Sequence, residues 1–399
     1  MSIRTFLESL KAVPIKGPII RIVSGNQSCD MDSVVSAIAY SYFYSKKYPS
    51  EEPFRPLLNI PQDQLRLRKD ILLLLESNSI DPKHLYFLDD VQDLIRLLPK
   101  ASLNVALVDH CNLQGDVLIQ AYEDKRLDVV SIIDHHQDEG VFLDASPRII
   151  AVTGSCSSLV FNYWKSVIDT VIDASVVKLL LGPLLLDTGN MAQKVELGDV
   201  LAISEYKKIL ESAGTSLDRG VFAVNGGKDN FQEVYEDLKR AKKNLDDFLP
   251  SDIFLKDFKL FVFQTKGAES VSIGFSSLGK PISWLFKNFK TEEVLEGIYD
   301  LQKQYLLDIV ILGTSFSRGE NRVHAREFCY FTKKAAYSSL GDFTSYLELN
   351  SDVYKLKEFK DKMKAINKDI IFKVYNMGNT AASRKQTVPE VKRVIETEY

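Results

Sequence analysis

Three short apolar runs in the first half of the chain end alike. IIRIV (19–23) leads into Asn26, Asp30 and Asp32; NVALV (104–108) leads into Asp109 and His110; VVSII (129–133) leads into Asp134, His135 and His136. A fourth run, the helix-like VVKLLLGPLLL (176–186), stops at Asp187. Apolar runs this short and unbroken read as strands buried on both faces, and the helical patterns between them read as crossovers. The fold class that satisfies both is α/β, a mostly parallel sheet with helices on both faces. In open sheets of that kind, ligands bind beyond the carboxyl ends of the strands. The pattern therefore predicts a rim where several carboxylates and imidazoles meet.

Strands are expected at 19–25, 54–60, 84–90, 104–110, 129–136 and 148–152, with helices over about 32–47, over 64–77 and from near Gly154. From about 190 to 255 the chain becomes helical and strongly charged, with GTSLDRG (214–220) and VNGGKDN (224–230) as breaks. This predicts a junction near 213, with one domain over 1–213 and a smaller α/β domain over 214–399. In the second domain, strands are expected at 258–265, 271–277, 306–316 and 326–332, with a helix near 291–305.

Composition narrows the classes. A net charge of −4 over 399 residues gives no global basic field, so any anion site has to be a local cluster. Cys29, Cys111, Cys156 and Cys329 are widely spaced and form no CxxC, which argues against a disulfide framework or a cysteine zinc site and fits a reducing compartment. No apolar run approaches the ~18 residues of a membrane span. The opening MSIRTFLESLKAV reads as a short amphipathic helix without a signal-peptide core or cleavage site, so a cytoplasmic protein is expected.

Two readings of GNQSCDMDS (25–33) compete. Either its aspartates cap the helix that follows, or they hold a divalent cation. The other strand ends favour the cation. Carboxylates crowded into one cleft repel each other and take up protons unless a cation neutralises them. His135 and His136 arrive on an apolar strand behind Asp134 and are candidate site residues. His110 is a weaker candidate that can simply shape its loop. Cys29 reads as a small filler of a tight turn rather than a thiolate ligand, and His84 and His324 read as structural.

GNQSCDMDS, LVDH, DHH and LLLDT, in this order and at these spacings, resemble the four motifs of the DHH phosphoesterase superfamily. SRKQTVP (383–389) resembles the signature of the second domain, DHHA2, found in manganese-type inorganic pyrophosphatases and fungal exopolyphosphatases. Asn26, where the pyrophosphatases carry a histidine, TGSCSSLVFNYW (153–164), and the length of the chain are similar to the fungal cytosolic exopolyphosphatases. The resemblance implies a DHH domain and a DHHA2 domain with the active site between them. It also implies two divalent cations, Mg²⁺ or Mn²⁺ with Co²⁺ also suitable, and hydrolysis of terminal phosphates of inorganic polyphosphate by a metal-activated hydroxide.

Carried over by position, Asp30 is the implied ligand of the first metal and Asp32 of the second. Asp109 and Asp187 are the implied shared ligands, and His135 the imidazole on the second metal. Asn26 stands at the first metal's histidine position, next to the substrate. Asp134 is implied to orient its neighbours. His136 resembles the residue on the phosphate beside the scissile bond, and Arg384, Lys385, Ser383 and Lys256 the substrate clamp. Asp109, His136 and Arg384 are thus the implied catalytic residues. KRAKK (239–243), Lys287 and Lys290 are candidates for the lining of a polyphosphate channel. A pyrophosphatase, a nuclease of the same superfamily and a non-catalytic binding protein are the alternatives. No nucleic-acid or membrane partner is indicated, and a monomer is the simplest state.

Overall fold

The computed structural model describes residues 1–15, 17–214, 231–333, 353–358 and 370–398. The expected breaks at 214–220, apart from Gly214, and at 224–230 lie outside them. The chain forms two compact units, Met1–Asn244 and Leu245–Tyr399.

The first unit is built on six parallel strands: β1 Ile19–Ser24, β2 Arg55–Leu58, β3 Tyr86–Phe87, β4 Ser102–Val108, β5 Leu127–Asp134 and β6 Arg148–Ile150. Their order is β3-β2-β1-β4-β5-β6. The chain works outward from β1 in one direction and then restarts on its other side with β4. The order reverses between β1 and β4, and that is where such a sheet opens a crevice at its carboxyl edge.

Helices α1 Ile3–Ala12, α2 Met31–Lys47, α3 Lys69–Ser77, α4 Leu88–Leu97, α5 Asp116–Glu123, α6 Cys156–Val167, α7 Ala174–Asp187, α8 Leu197–Ser212 and α9 Phe231–Lys243 complete the unit. The side chains of β4 alternate across the sheet, as the period of two requires. Leu103, Val105 and Leu107 pack with Val91 of α4 and Leu118 of α5. Ala106 and Val108 face the larger core formed with α2, α6 and α7. Helix α2 is buried from Met31 to Phe43, which explains why its sequence is apolar on every side.

The second unit holds α10 Pro250–Leu255, β7 Phe258–Gln264, β8 Ser270–Leu278, α11 Ile282–Asn288, α12 Thr291–Tyr305, β9 Ile309–Thr314, β10 Phe316–Arg318, β11 Val323–Ala325, β12 Glu327–Lys333, β13 Leu356–Glu358, β14 Ile370–Met377 and α13 Arg384–Glu398. Its sheet runs β13-β14-β12-β9-β8-β7, parallel only between β8 and β9.

Two expectations need correction. The strand expected at 84–90 lasts two residues before α4 begins at Leu88, because the Asp90 carboxylate accepts the Phe87 amide at 2.8 Å and starts a helix there. The compact units part at 244/245 rather than near 213. Helix α9 buries Phe231, Val234 and Leu238 in the first unit's core, against α3 and α7. Among the described residues no helix is long and apolar enough to cross a membrane, and all four cysteines are free and buried.

Candidate functional site

The site starts where β1 stops. A Cβ on Gly25 would lie 2.7 Å from Ser33 Cβ, so only glycine lets the strand end approach the first turn of α2 this closely. The chain then turns through Cys29, which is buried and adopts φ of +47°. Burial pushes its thiol up to about 12, which suits a packed filler. Asp30 caps α2, its Oδ1 accepting the Ser33 amide at 3.1 Å. Asp32, in the first turn of the helix, is buried. Its Oδ2 accepts from the Cys156 amide at 2.6 Å. Its Oδ1 accepts from the Ser157 amide and the Ser155 hydroxyl, both at 2.8 Å.

On the other side of the switch point β4 delivers Asp109, also buried, with φ of +63°. Its Oδ2 accepts from Ser33 Oγ at 2.6 Å and from Asn26 Nδ2 at 2.8 Å. Asn26 turns its own Oδ1 away, to the Ser28 amide at 2.9 Å. The amide of Asn26 thus holds Asp109, and its oxygen is engaged locally. His110 is buried with Nδ1 on the Val108 carbonyl at 2.9 Å, in line with a role in shaping its loop.

β5 delivers the last group. Asp134 is fully buried, and its Oδ1 accepts the His135 amide at 2.7 Å and the His136 amide at 3.2 Å and lies 2.8 Å from His136 Nδ1. These bonds set both imidazoles. His135 Nδ1 bonds the Thr153 carbonyl at 3.0 Å, so that nitrogen carries the proton and Nε2 faces the acids. Nε2 lies 3.1 Å from Asp109 Oδ1 and 3.9 Å from Asp32 Oδ2.

The electrostatics follow from this crowding. Burial, reinforced by the charge of Asp30, pushes the Asp109 carboxyl up to about 7. At His135 burial opposes the charged form but is outweighed by the hydrogen bond to Asp109 and the charge of Asp32, and the imidazole rises to about 10. Burial and the charge of Asp32 push Asp187, the last residue of α7, well above the carboxylate range, opposed by Lys242 of the KRAKK run on α9.

In the second unit, Arg384 opens α13 and donates to the Asp257 carboxylate at 2.7 Å and the Asp257 carbonyl at 2.9 Å, 127 positions away in sequence. Asp257 directly follows Lys256, so the fold brings Arg384 onto the residue next to Lys256. Lys256 Nζ lies 5.5 Å from the Phe248 ring centroid. Lys385 is exposed. Ser383 and Gln386 shape the backbone here. The Ser383 amide donates to Gln386 Oε1 at 2.9 Å and Ser383 Oγ accepts the Lys385 amide at 3.3 Å, closing the N-terminus of α13. Lys287 and Lys290 are exposed on their own unit.

Residues 21–183 match the model of the DHH family N-terminal domain, and 236–394 match the DHHA2 domain. A Schizosaccharomyces pombe protein named "Putative exopolyphosphatase" is 31% identical over 93% of this chain and 90% of its own length. The chain belongs to the DHH family, in its DHHA2 branch. The human "Exopolyphosphatase PRUNE1" is 24% identical over 98% of this chain and 79% of its own length. The structure titled as a Methanococcus jannaschii putative family II inorganic pyrophosphatase shares the fold, with a TM-score of 0.53 at 19% identity over 94% of this chain and 99% of that one.

In this DHH–DHHA2 chain the residues fit a divalent metal. Asp109, His135 and His136 present ligand atoms within 4.8 Å of one another. The proton of His135 is turned outward onto a carbonyl, and the charges of Asp30, Asp32 and Asp187 bear on the same place. Hard oxygens with imidazole are the donor set of such ions. Sequence reasoning missed the groups that orient this set, Ser33, Thr153 and Ser155, and it also missed Asp257, which fixes Arg384 within the second unit. Thr153 acts through its carbonyl, which no residue type announces. Ser33 lay inside GNQSCDMDS, and its three-residue spacing from the Asp30 cap was the available signal.

Proposed function

We propose that this chain is an exopolyphosphatase, a metal-dependent phosphoanhydride hydrolase that releases orthophosphate from the end of inorganic polyphosphate. The observation that carries the reading is the meeting of Asp32, Asp109 and His135 at the point where the sheet reverses its order, with His135 Nε2 turned to both carboxylates. On this reading two Mg²⁺ or Mn²⁺ ions would be held, the first by Asp30, the second by Asp32 and His135, with Asp109 and Asp187 available to both. Such ions supply an acidified water at neutral pH and neutralise charge developing on a phosphoryl group.

The chain's own residues do the rest. Asp134 holds His136 by Nδ1 and leaves Nε2 for the phosphate beside the scissile bond. Asn26 keeps Asp109 oriented and lies beside the substrate. Arg384 and Lys256 bind non-bridging oxygens, Lys385 adds a point charge and Ser383 supports the clamp from the start of α13. Asp257 presents Arg384 with its guanidinium already fixed.

The test is orthophosphate release from long-chain polyphosphate and from pyrophosphate, side by side, with Mg²⁺ or Mn²⁺. Asp109→Asn serves as the control. Release from the long chain only, lost in the control, is the expected result. Faster turnover of pyrophosphate would move the substrate to the smaller anion, and release from neither would leave a non-catalytic protein.

A further inference from the structure

Two buried carboxylates divide one helix start between them. The first amides of α6 have no earlier turn to bond. Asp32 takes those of Cys156 and Ser157 and the Ser155 hydroxyl. The amides just before them go to Asp199, in the first turn of α8 and fully buried. Its Oδ2 accepts the Gly154 amide at 2.7 Å, and its Oδ1 accepts the Ser155 amide at 3.3 Å and the Ser158 hydroxyl at 2.7 Å. A further bond, from the Glu196 amide at 3.0 Å, serves its own helix.

The turn that Asp199 grips is the one that sets two candidate ligands. Asp32 is oriented by the amides of 156 and 157, and His135 by the carbonyl of Thr153 at 3.0 Å. The turn is also tightly enclosed. A Cβ on Gly154 would meet Lys194 O at 2.6 Å, Thr188 Cγ2 at 2.7 Å and Asp199 Oδ2 at 2.9 Å. Asp199 touches neither Asp32 nor His135 in any of these bonds; it acts on the backbone that both depend on.

We infer that Asp199 is a positioning residue of the metal centre, holding the 153–158 turn so that the Asp32 carboxylate and His135 Nε2 face one cation. This rests on the reading that Asp32 and His135 share an ion. A role confined to capping α8 would cost stability when the carboxylate is lost but would leave metal affinity alone.

The experiment titrates the full chain with Mn²⁺ alone, by calorimetry and by the Mn²⁺ paramagnetic resonance signal. It compares wild type, Asp199→Asn, Ser158→Ala and, as reference, Asp32→Asn. Wild type is expected to bind two ions. Asp199→Asn should weaken one of them by about 10- to 100-fold, the range for groups that orient ligands, and leave the other unchanged. Its kcat on polyphosphate should fall with little change in KM. Ser158→Ala should shift the same ion, by less. Wild-type affinity for both ions in Asp199→Asn, whatever its melting temperature, would overturn the inference. If Asp199→Asn does not fold, unchanged affinities in Ser158→Ala would overturn it equally. Absence of Mn²⁺ binding by wild type, or two unaffected ions in Asp32→Asn, would instead remove the metal reading itself and the inference with it.

Discussion

Asp109 leaves β4 in the left-handed region, where aspartate is among the few side chains commonly found. That backbone turn lets one carboxylate meet both halves of the sheet: Oδ2 is taken by Asn26 and Ser33 from the β1 side, and Oδ1 faces His135 from β5. Asn26→Ala removes one of the two donors on Oδ2. A hydrogen bond to an ionised carboxylate contributes about 1.5–3 kcal/mol, so divalent-ion affinity should fall by about 10- to 100-fold, measured calorimetrically. An unchanged affinity would show that Ser33 alone orients Asp109. The same crowding sets a pH dependence. Protons are held at Asp109 up to about 7 and at His135 up to about 10. An ion bound by these atoms has to displace them, so lower pH weakens binding and higher pH strengthens it. Affinity should climb between about pH 6 and 9 with proton release, visible as a binding heat that changes with the buffer. A flat profile would place the ion elsewhere.

At the scale of elements, SRKQ carries two kinds of information in four letters. Ser383 and Gln386 form the reciprocal start of α13, while Arg384 and Lys385 are left for charge. Ser383→Ala should therefore cost about 1 kcal/mol of stability, seen in denaturant unfolding of the second unit. Lys385→Ala, on an exposed side chain, should leave stability unchanged and raise KM for polyphosphate. The reverse pattern would exchange the two roles. The serine-to-glutamine spacing of this helix start was legible in the sequence and was read only as a signature. Strand ends were easier: parallel strands buried on both faces have to be apolar, so the polar residue that ends each one stands out. Asp199 and Asp257 did not stand out, because an acid beside a charged helix or a basic pair looks like any solvated residue until the fold shows what it grips. The short β3 was overread for a related reason. The apolar run in HLYFLDD continues into α4, and Asp90 rather than hydrophobicity decides where the strand stops.

For the whole molecule, the position of the division between units is itself testable. The charged helices after 190 suggested a boundary near 213, since charge runs commonly mark linkers. The structure instead uses α9 as a core helix with a charged outer face: Phe231, Val234 and Leu238 are buried against α3 and α7 while acidic and basic side chains make up most of the remainder. Burying three such side chains is worth roughly 1.5–3 kcal/mol each, together comparable to the net stability of a typical domain, ~5–15 kcal/mol. Removing α9 also removes Lys242, the cation that offsets the upward shift of Asp187. A fragment of residues 1–244 should then unfold in one cooperative transition and bind Mn²⁺ as the full chain does, because Asp30, Asp32, Asp109, His135 and Asp187 all belong to it. It should not turn over polyphosphate, because Lys256, Arg384 and Lys385 are absent. A fragment of residues 1–213 should lack a cooperative transition and Mn²⁺ affinity. If 1–213 proved as stable as 1–244, α9 would be an appendage of the first unit, and the boundary read from charge would be the correct one.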